Sequence, residues 1–86
     1  MTRKLGKKPP RRVRRAPEVA AVLRHIGAQL RKHRKRRELR AVDVYERAGI
    51  SMSFLGLLEK GDRAPSVETL VVLAKLYGVA PRVFWP

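Results

Sequence analysis

Apolar side chains recur every three or four residues from Glu18 onward, which is the spacing of one face of an α-helix. Pro17 suits the first helical position, and Glu18 complements the positive end of the helix dipole. The apolar face of this first predicted helix consists of Val19, Val22, Leu23, Ile26, Leu30 and His33. No stretch of the chain shows the apolar–polar alternation of a half-buried β-strand. The pattern therefore predicts an all-α fold.

Residues that cap or stop helices divide the rest of the chain. Ser51 and Ser66 suit N-cap positions, and Gly49, Gly61 and Gly78 suit the conformation that ends a helix. The apolar positions between these boundaries are Leu39, Val42, Val44 and Ala48, then Phe54, Leu55 and Leu58, then Leu70, Val71, Leu73, Ala74 and Tyr77, and finally Val83, Phe84 and Trp85 after Pro81. We therefore expect five helices, the last of them short, in one domain over residues 18–86.

Positive charge is concentrated in residues 1–17. The whole chain has a net charge of +14, which attracts polyanions, and nucleic acid is the strongest polyanion in cells. The cations of this segment, which contains no acid, are Arg3, Lys4, Lys7, Lys8, Arg11, Arg12, Arg14 and Arg15. Because like charges repel and prolines block helix formation, we expect a disordered basic arm that lies along phosphates or in a minor groove. A solubilising tail or an RNA-binding arm would have the same composition.

The sequence offers no chemistry for catalysis or metal binding. It has no cysteine, which excludes disulfides and thiolate metal sites and fits a reducing cytoplasm. His25 and His33 lie about two helical turns apart, too far to hold one metal, and we expect His33 at the edge of the core. No nucleotide-binding loop or hydrolase motif is present, and no apolar run approaches the ~20 residues that span a bilayer. We therefore expect no enzyme activity, no metal or cofactor and no membrane contact.

Two short predicted helices joined by a tight turn lie between Ala41 and Lys60. The turn is Ala48-Gly49-Ile50-Ser51, and the arrangement is that of a helix-turn-helix. In such a motif the first helix braces against the DNA backbone, while the second presents its N-terminal residues to base edges in the major groove. The segment therefore predicts nucleic-acid binding on grounds that are independent of the charge.

A series of short motifs runs from Ile26 to Trp85. They are Ile26-Gly27, Leu30-Arg31, Arg34, Glu46-Arg47-Ala48-Gly49-Ile50-Ser51, Ser53-Phe54-Leu55, Leu58-Glu59-Lys60-Gly61, Pro65-Ser66, Glu68-Thr69-Leu70, Leu73-Ala74 and Tyr77-Gly78-Val79. In this order and spacing the chain resembles the phage-repressor and Cro-like helix-turn-helix family, also called the xenobiotic-response-element family. The resemblance implies a five-helix, lambda-repressor-like DNA-binding domain, transcriptional regulation, double-stranded DNA as the partner and a homodimer on a two-fold operator. It also implies a bacterial or phage regulator that is associated with the nucleoid in the cytoplasm.

The resemblance assigns roles to individual residues. The base-facing positions of the recognition helix are Met52, Ser53, Gly56 and Leu57. Arg34 and Glu59 occupy positions where family members form an ion pair that holds the recognition helix against the first helix. With the basic block at the end of the first helix, the predicted phosphate contacts are Arg31, Lys35, Arg36, Arg37, Arg40, Lys60 and Arg63.

The chain departs from the family pattern in two places. At the junction of the first two helices, Glu38 replaces the usual Gly, Arg40 the usual Ser or Thr cap, and Ala41 the usual Gln that grips the DNA backbone. Glu38 would let the first helix end differently, and Arg40 would reach a phosphate in place of the lost Gln. On the base-facing side only Ser53 can hydrogen-bond, whereas specific readout favours Arg, Lys, Asn or Gln.

The base-facing surface leaves two interpretations open. In the first, which we favour, the chain is a repressor-type DNA-binding regulator whose affinity comes from phosphates and whose specificity comes from the arm and from DNA shape. In the second, the apolar surface of Met52, Gly56 and Leu57 docks a transcription-related protein. Non-specific RNA binding through the arm is a third hypothesis.

Two large aromatic residues stand at the C-terminal end. Phe84 and Trp85 would close the core against the first and fourth helices. They would alternatively form a homodimer contact, since Trp is enriched at such contacts. Both interpretations hold together if Phe84 points inward and Trp85 points partly outward.

Overall fold

The computed structural model describes residues 16–86 and contains four α-helices followed by one turn of 3₁₀-helix. The helices are α1 (Pro17–Arg36), α2 (Ala41–Ala48), α3 (Met52–Lys60) and α4 (Val67–Tyr77), and the 3₁₀ turn spans Pro81–Phe84. No strand occurs within residues 16–86. The all-α fold and the order of the first four helices are therefore confirmed.

The prediction of a fifth helix is wrong, because the residues from Pro81 onward form only a 3₁₀ turn. This turn has four residues, and Trp85 returns to extended backbone at φ −86° and ψ 152°. Four residues are too few for the repeated i→i−4 hydrogen bonds of an α-helix, whereas a 3₁₀ turn closes with i→i−3 bonds. The fold of residues 16–86 thus consists of four α-helices and a closing 3₁₀ turn.

The predicted basic arm lies outside the described residues except for its last two positions. Ala16 is the N-cap residue of α1, and Pro17 is the first residue of the helix, as its fixed φ favours. Glu18 stands in the first turn, near the positive end of the helix dipole. The disorder of the arm and its boundary with the domain stay predictions.

One hydrophobic core lies between the four helices and the 3₁₀ turn. Its most enclosed side chains, none more than 2% exposed, are Ile26, Leu30, Val44, Leu55, Leu58, Leu73, Ala74, Tyr77 and Phe84. Val19 and Val71 are 47% and 46% exposed, so their predicted places on buried faces are wrong. Val71 is turned about 100° around α4 from Leu70, which faces the core, and Val19 lies in the first turn of α1, where the core ends.

Helix α1 passes very close to the last turn of α3 at Gly27, which is buried. A Cβ at this position would lie 2.5 Å from the carbonyl oxygens of both Leu58 and Glu59. Carbon and oxygen atoms that are not bonded do not approach so closely, so only glycine permits this contact. The C-terminal end of the helix-turn-helix is therefore packed directly on the backbone of α1.

The connection between α1 and α2 turns at Glu38, which has a φ of 58°. It is the only residue other than glycine with a positive φ among residues 16–86. The backbone N–H of Glu38 donates to Lys35 O at 2.9 Å, and that of Leu39 donates to Arg34 O at 3.2 Å, so α1 is closed off at this point. Glu38 thus holds the left-handed conformation that the usual family glycine would adopt without strain.

Replacing Glu38 with Gly should raise the free energy of unfolding by about 1 kcal/mol, because a Cβ in the left-handed region costs about that much. Glu46→Gly is the matched control, since Glu46 is exposed within the regular helix α2. There the same change should lower the free energy of unfolding by about 1 kcal/mol. Urea unfolding followed by far-UV circular dichroism measures both, and a loss of stability in both variants would contradict a strained Glu38.

Candidate nucleic-acid interface

Helices α2 and α3 form the helix-turn-helix that the sequence predicts. Gly49 ends α2 with a φ of 74°, and its N–H donates to the carbonyl oxygen of Tyr45 at 2.8 Å. Ser51 then caps α3, since its Oγ accepts a hydrogen bond from the N–H of Phe54 at 3.1 Å. Val44 and Leu55 are fully buried on the inner faces of the two helices. The turn and the shared core therefore fix how α3 is presented.

The residues predicted to face bases lie on the accessible part of α3. Met52 is 51% exposed, and Ser53 is also exposed. Gly56 and Leu57 are half-buried, and a Cβ at Gly56 would meet no atom within 4 Å. The four residues thus line an open surface that is mostly apolar, and their contact with bases stays a prediction.

Tyr45 is a residue of this surface that the sequence analysis missed. It is 52% exposed, although it is aromatic, and it lines a depression of about 400 Å³ with Ser51, Met52 and Ser53. Because Tyr45 belongs to α2, the spacing of residues on α3 cannot reveal it. An aromatic residue on the polar side of α2, next to the buried Val44, was the available signal.

A nearly buried ion pair ties α3 to α1. The Nε of Arg34 donates to Oε2 of Glu59 at 2.7 Å, and its Nη2 donates to Oε1 at 3.0 Å. The side chains are 11% and 6% exposed, respectively. The remaining Nη1 donates to the carbonyl oxygen of Leu39 at 2.9 Å. Arg34 therefore joins α1, the loop before α2 and the last turn of α3, as the resemblance implies for this pair.

The Arg34–Glu59 pair is also strong electrostatically. The hydrogen bonds to Glu59 raise the pKa of Arg34 above its usual value, against the opposing effect of burial. A bidentate guanidinium–carboxylate contact fixes both the distance and the orientation of the partners. Arg34 and Glu59 therefore hold α3 against α1, in addition to the turn and the shared core.

The cations predicted to contact phosphates fall into two groups. Arg31, Lys35, Arg36 and Lys60 are exposed. The other three are also exposed, but each lies against a specific neighbour within the chain: Arg37 near Gly78, Arg40 near Asp43, and Arg63 near Phe54. The guanidinium carbon of Arg63 is 5.8 Å from the centre of the Phe54 ring, which is a cation–π contact. Contact of these cations with phosphate stays a prediction.

Arg40 is occupied by a contact at the start of α2. Its backbone N–H donates to Asp43 Oδ2 at 2.7 Å, and its guanidinium donates to both carboxylate oxygens at 3.1 and 3.0 Å. These hydrogen bonds lower the pKa of Asp43 to about 2. An acid three residues after an N-cap position is the sequence signature of such a contact. A phosphate contact of Arg40 would therefore have to displace Asp43.

Arg24 is a second residue that the predicted interface did not include. A Cβ at Gly61 would lie 2.9 Å from the Cα of Arg24, so the end of α3 rests against this part of α1. Arg24 is exposed there, beside the loop that follows α3. This loop carries Arg63, and Lys60 immediately precedes it. The structure thus adds a cation from α1 to those at the C-terminal end of the recognition helix.

The two aromatic residues near the C-terminus differ in environment. Phe84 is fully buried, and its ring makes edge contacts with His33 and Tyr77 at centroid distances of 6.0 and 6.4 Å. Trp85 is 54% exposed and lines an apolar groove of about 410 Å³ with Val19 and Val22. Burial and the nearby cations of Arg36 and Lys32 lower the pKa of His33, which lies at the core edge as expected.

Metal ligation and membrane insertion find no support within residues 16–86. In this part of the chain, no three His, Cys, Asp or Glu side chains come together in a group that could hold a metal ion. None of the helices described above is long and apolar enough to cross a membrane.

The sequence of the chain is similar to those of known helix-turn-helix proteins. The chain matches the family described as Helix-turn-helix domain over residues 25–83. It is 45% identical over 51 residues to the HTH-type transcriptional regulator DdrOP3 of Deinococcus deserti, a match that covers 59% of this chain and 40% of that protein. It is 36% identical over 55 residues to the uncharacterized HTH-type transcriptional regulator y4dJ of Sinorhizobium fredii, covering 64% of this chain and 71% of that protein. The chain thus spans well under half the length of DdrOP3.

Solved structures agree with the sequence match. The DNA-binding domain of BldD superimposes with a TM-score of 0.71 at 32% identity, covering 78% of this chain and 97% of that domain. The matched residues 25–83 contain the helix-turn-helix and both partners of the Arg34–Glu59 pair. This chain therefore belongs to the helix-turn-helix domain family, in the Cro- and repressor-like group of DNA-binding domains.

Proposed function

We propose that this chain is a DNA-binding transcriptional regulator of the repressor type that acts as a homodimer on double-stranded DNA. One observation carries the proposal: α3 is anchored to α1 by the Arg34–Glu59 pair, while its outer surface is open. A recognition helix works in this way, since it must be rigid and accessible to enter a major groove. The relatives are HTH-type transcriptional regulators, in agreement with this role.

Phosphate contacts supply most of the affinity in this proposal. The net charge of +14 exceeds what solubility requires of a small domain. The exposed cations Arg31, Lys35, Arg36 and Lys60 lie on α1 and α3, the two helices joined by the ion pair. The arm adds a further cluster of cations that would follow the DNA backbone. Such a protein acts at the nucleoid, in bacterial or phage-infected cytoplasm.

The salt dependence of duplex binding tests this function. If the domain and arm make six to ten phosphate contacts, affinity should fall by ~10³–10⁵ between 50 and 200 mM salt. Lys60→Ala should reduce the slope of log affinity against log salt by about one. Arg82→Ala is the matched control, because this exposed cation lies in the C-terminal 3₁₀ turn, and it should leave the slope unchanged.

Selection from a random duplex pool at both salt concentrations tests specificity and the homodimer together. An enriched palindrome is the expected result, because a two-fold dimer reads a two-fold site. Absence of duplex binding by the full chain at 50 mM salt would contradict the proposal. A chain lacking residues 1–15 separates the contribution of the arm from that of the domain. If this variant loses RNA affinity, and the full chain shows no preference for duplex DNA, the RNA-binding alternative is favoured.

A protein-docking adaptor is the second candidate function, and the apolar character of α3 favours it. Met52 is 51% exposed, and the open position at Gly56 allows another backbone to approach. A flexible Met on an open, mostly apolar surface suits contacts with a protein partner. Under this hypothesis the wild-type chain enriches no duplex but captures a transcription-related protein. Leu57→Glu should abolish that capture. Unchanged capture by that variant would exclude docking on this surface.

A further inference from the structure

The outer surface of α3 offers little hydrogen bonding to bases. Of its predicted base-facing residues only Ser53 has a polar side chain, and Met52 is the most protruding apolar one. The apolar group that the major groove presents is the C5-methyl of thymine. A surface of this kind therefore matches thymine better than it matches any base whose readout needs a bidentate donor.

Tyr45 extends the apolar surface from α3 onto α2. Its exposed ring and the side chain of Met52 line the same depression, with Ser51 and Ser53. The backbone of Tyr45 is held in place, because the adjacent Val44 is fully buried and the Tyr45 carbonyl accepts the N–H of Gly49. A tyrosine side chain also has few rotatable bonds, so little conformational entropy is lost when it makes a contact.

We propose that Tyr45 is a specificity-determining residue, whose ring packs with Met52 on a thymine methyl in the major groove. This inference deepens the proposed function and rests on it. The readout would then come from the first helix of the motif as well as from the second. It explains how a recognition helix that lacks Arg, Lys, Asn and Gln at its base-facing positions still distinguishes sequences.

The experiment compares the wild-type full chain with Tyr45→Phe, Tyr45→Ala and the control Glu46→Ala, which alters an exposed neighbour on the same helix. The duplex enriched by the wild type is synthesised with single thymines replaced by deoxyuridine, which removes only the methyl group. A scrambled duplex of the same length and composition reports non-specific binding. Circular dichroism of each variant verifies that the helices are intact.

Each half-site should contain one thymine whose single replacement by deoxyuridine weakens wild-type binding about fourfold, as expected for the loss of one buried methyl group. Tyr45→Phe and Glu46→Ala should keep this penalty. Tyr45→Ala should lose it, and its preference for the enriched over the scrambled duplex should fall by about the square of that factor, because the contact is lost in both half-sites of the dimer. Binding to the scrambled duplex and the salt slope should not change, because Tyr45 carries no charge.

Three results would overturn the inference. The first is a deoxyuridine penalty in Tyr45→Ala equal to that of the wild type, and the second is an enriched site with no sensitive thymine. The third comes from adding one strand of the enriched duplex as a probe: if Tyr45→Ala lost binding to this single strand while duplex binding stayed intact, Tyr45 would be a base-stacking residue instead. These results leave the proposed function standing, whereas the absence of duplex binding by the wild type removes both proposals.

Discussion

Gly27→Ala should lower the free energy of unfolding by roughly 3 kcal/mol, the upper end of the usual cost of overpacking a core. The added Cβ would lie 2.5 Å from two backbone carbonyl oxygens, those of Leu58 and Glu59. Neither oxygen belongs to a flexible side chain that could rotate away. The clash can be relieved only if α1 and the end of α3 move apart.

Gly56→Ala is the matched control, because it makes the same chemical change in the other helix of this contact. A Cβ at Gly56 meets nothing within 4 Å, and Gly56 lies inside the regular helix α3. Alanine there should raise the free energy of unfolding by about 1 kcal/mol, the difference in helix propensity between the two residues. The two substitutions are thus expected to have opposite signs.

Chemical unfolding of the three proteins, followed by circular dichroism, measures both effects under one set of conditions. Since both variants gain the same helix propensity, the difference between their stabilities isolates the steric cost at Gly27. Equal stabilities would show that α1 and α3 are not packed as closely as described. Gly56→Ala has a second use, since it leaves the fold stable while placing a methyl group on the predicted base-facing surface.

The helices of this chain were predictable because their signals are local. A cap acts within one turn, and Ser51 and Ser66 accept the N–H groups of Phe54 and Thr69 three residues later, as predicted. Gly49 ends its helix with the positive φ that the sequence led us to expect. The same local logic failed at the C-terminus, where Pro81 started a turn too short to become an α-helix.

Features that depend on the rotation of one helix against another were not predictable from spacing. The pattern placed Val71 with Leu70 on a buried face, although α4 turns Val71 toward solvent. Tyr45 joins Met52 only because the turn folds α2 beside the start of α3. A count of cations likewise gave no sign that Arg63 lies over Phe54, since that contact depends on the loop after α3.

The Arg34–Glu59 pair was predicted on other grounds, because the resemblance to a family implied it and the periodicity of apolar residues did not. The two residues are separated by 25 positions, and each one alone is an ordinary charge on an amphipathic helix. Their low exposure gives the pair its importance, because a charge without its partner there is poorly solvated. The pair is therefore the place where the fold and the presentation of the recognition helix are most tightly coupled.

Breaking this pair from either side should lower the free energy of unfolding by about 3 kcal/mol, the lower end of the cost of leaving one charge of a buried pair unpaired, because the two side chains remain 11% and 6% exposed. Glu59→Gln leaves Arg34 without a counter-charge. Arg34→Met leaves the carboxylate alone and also removes the donor to Leu39 O. Lys35→Met and Glu46→Gln are the controls, because both residues are exposed, and these changes should have little effect.

The double variant Arg34→Met/Glu59→Gln distinguishes a true pair from two independent losses. The double variant contains neither charge, so no unpaired charge remains. Its loss of stability should therefore be smaller than the sum of the two single losses by about 0.5–3 kcal/mol. Strict additivity would mean that the hydrogen bonds at 2.7 and 3.0 Å contribute no coupling between α1 and α3. In that case the turn, the shared core and the contact at Gly27 position α3 without the pair, and Glu59→Gln should bind duplex DNA as the wild type does wherever the protein remains folded.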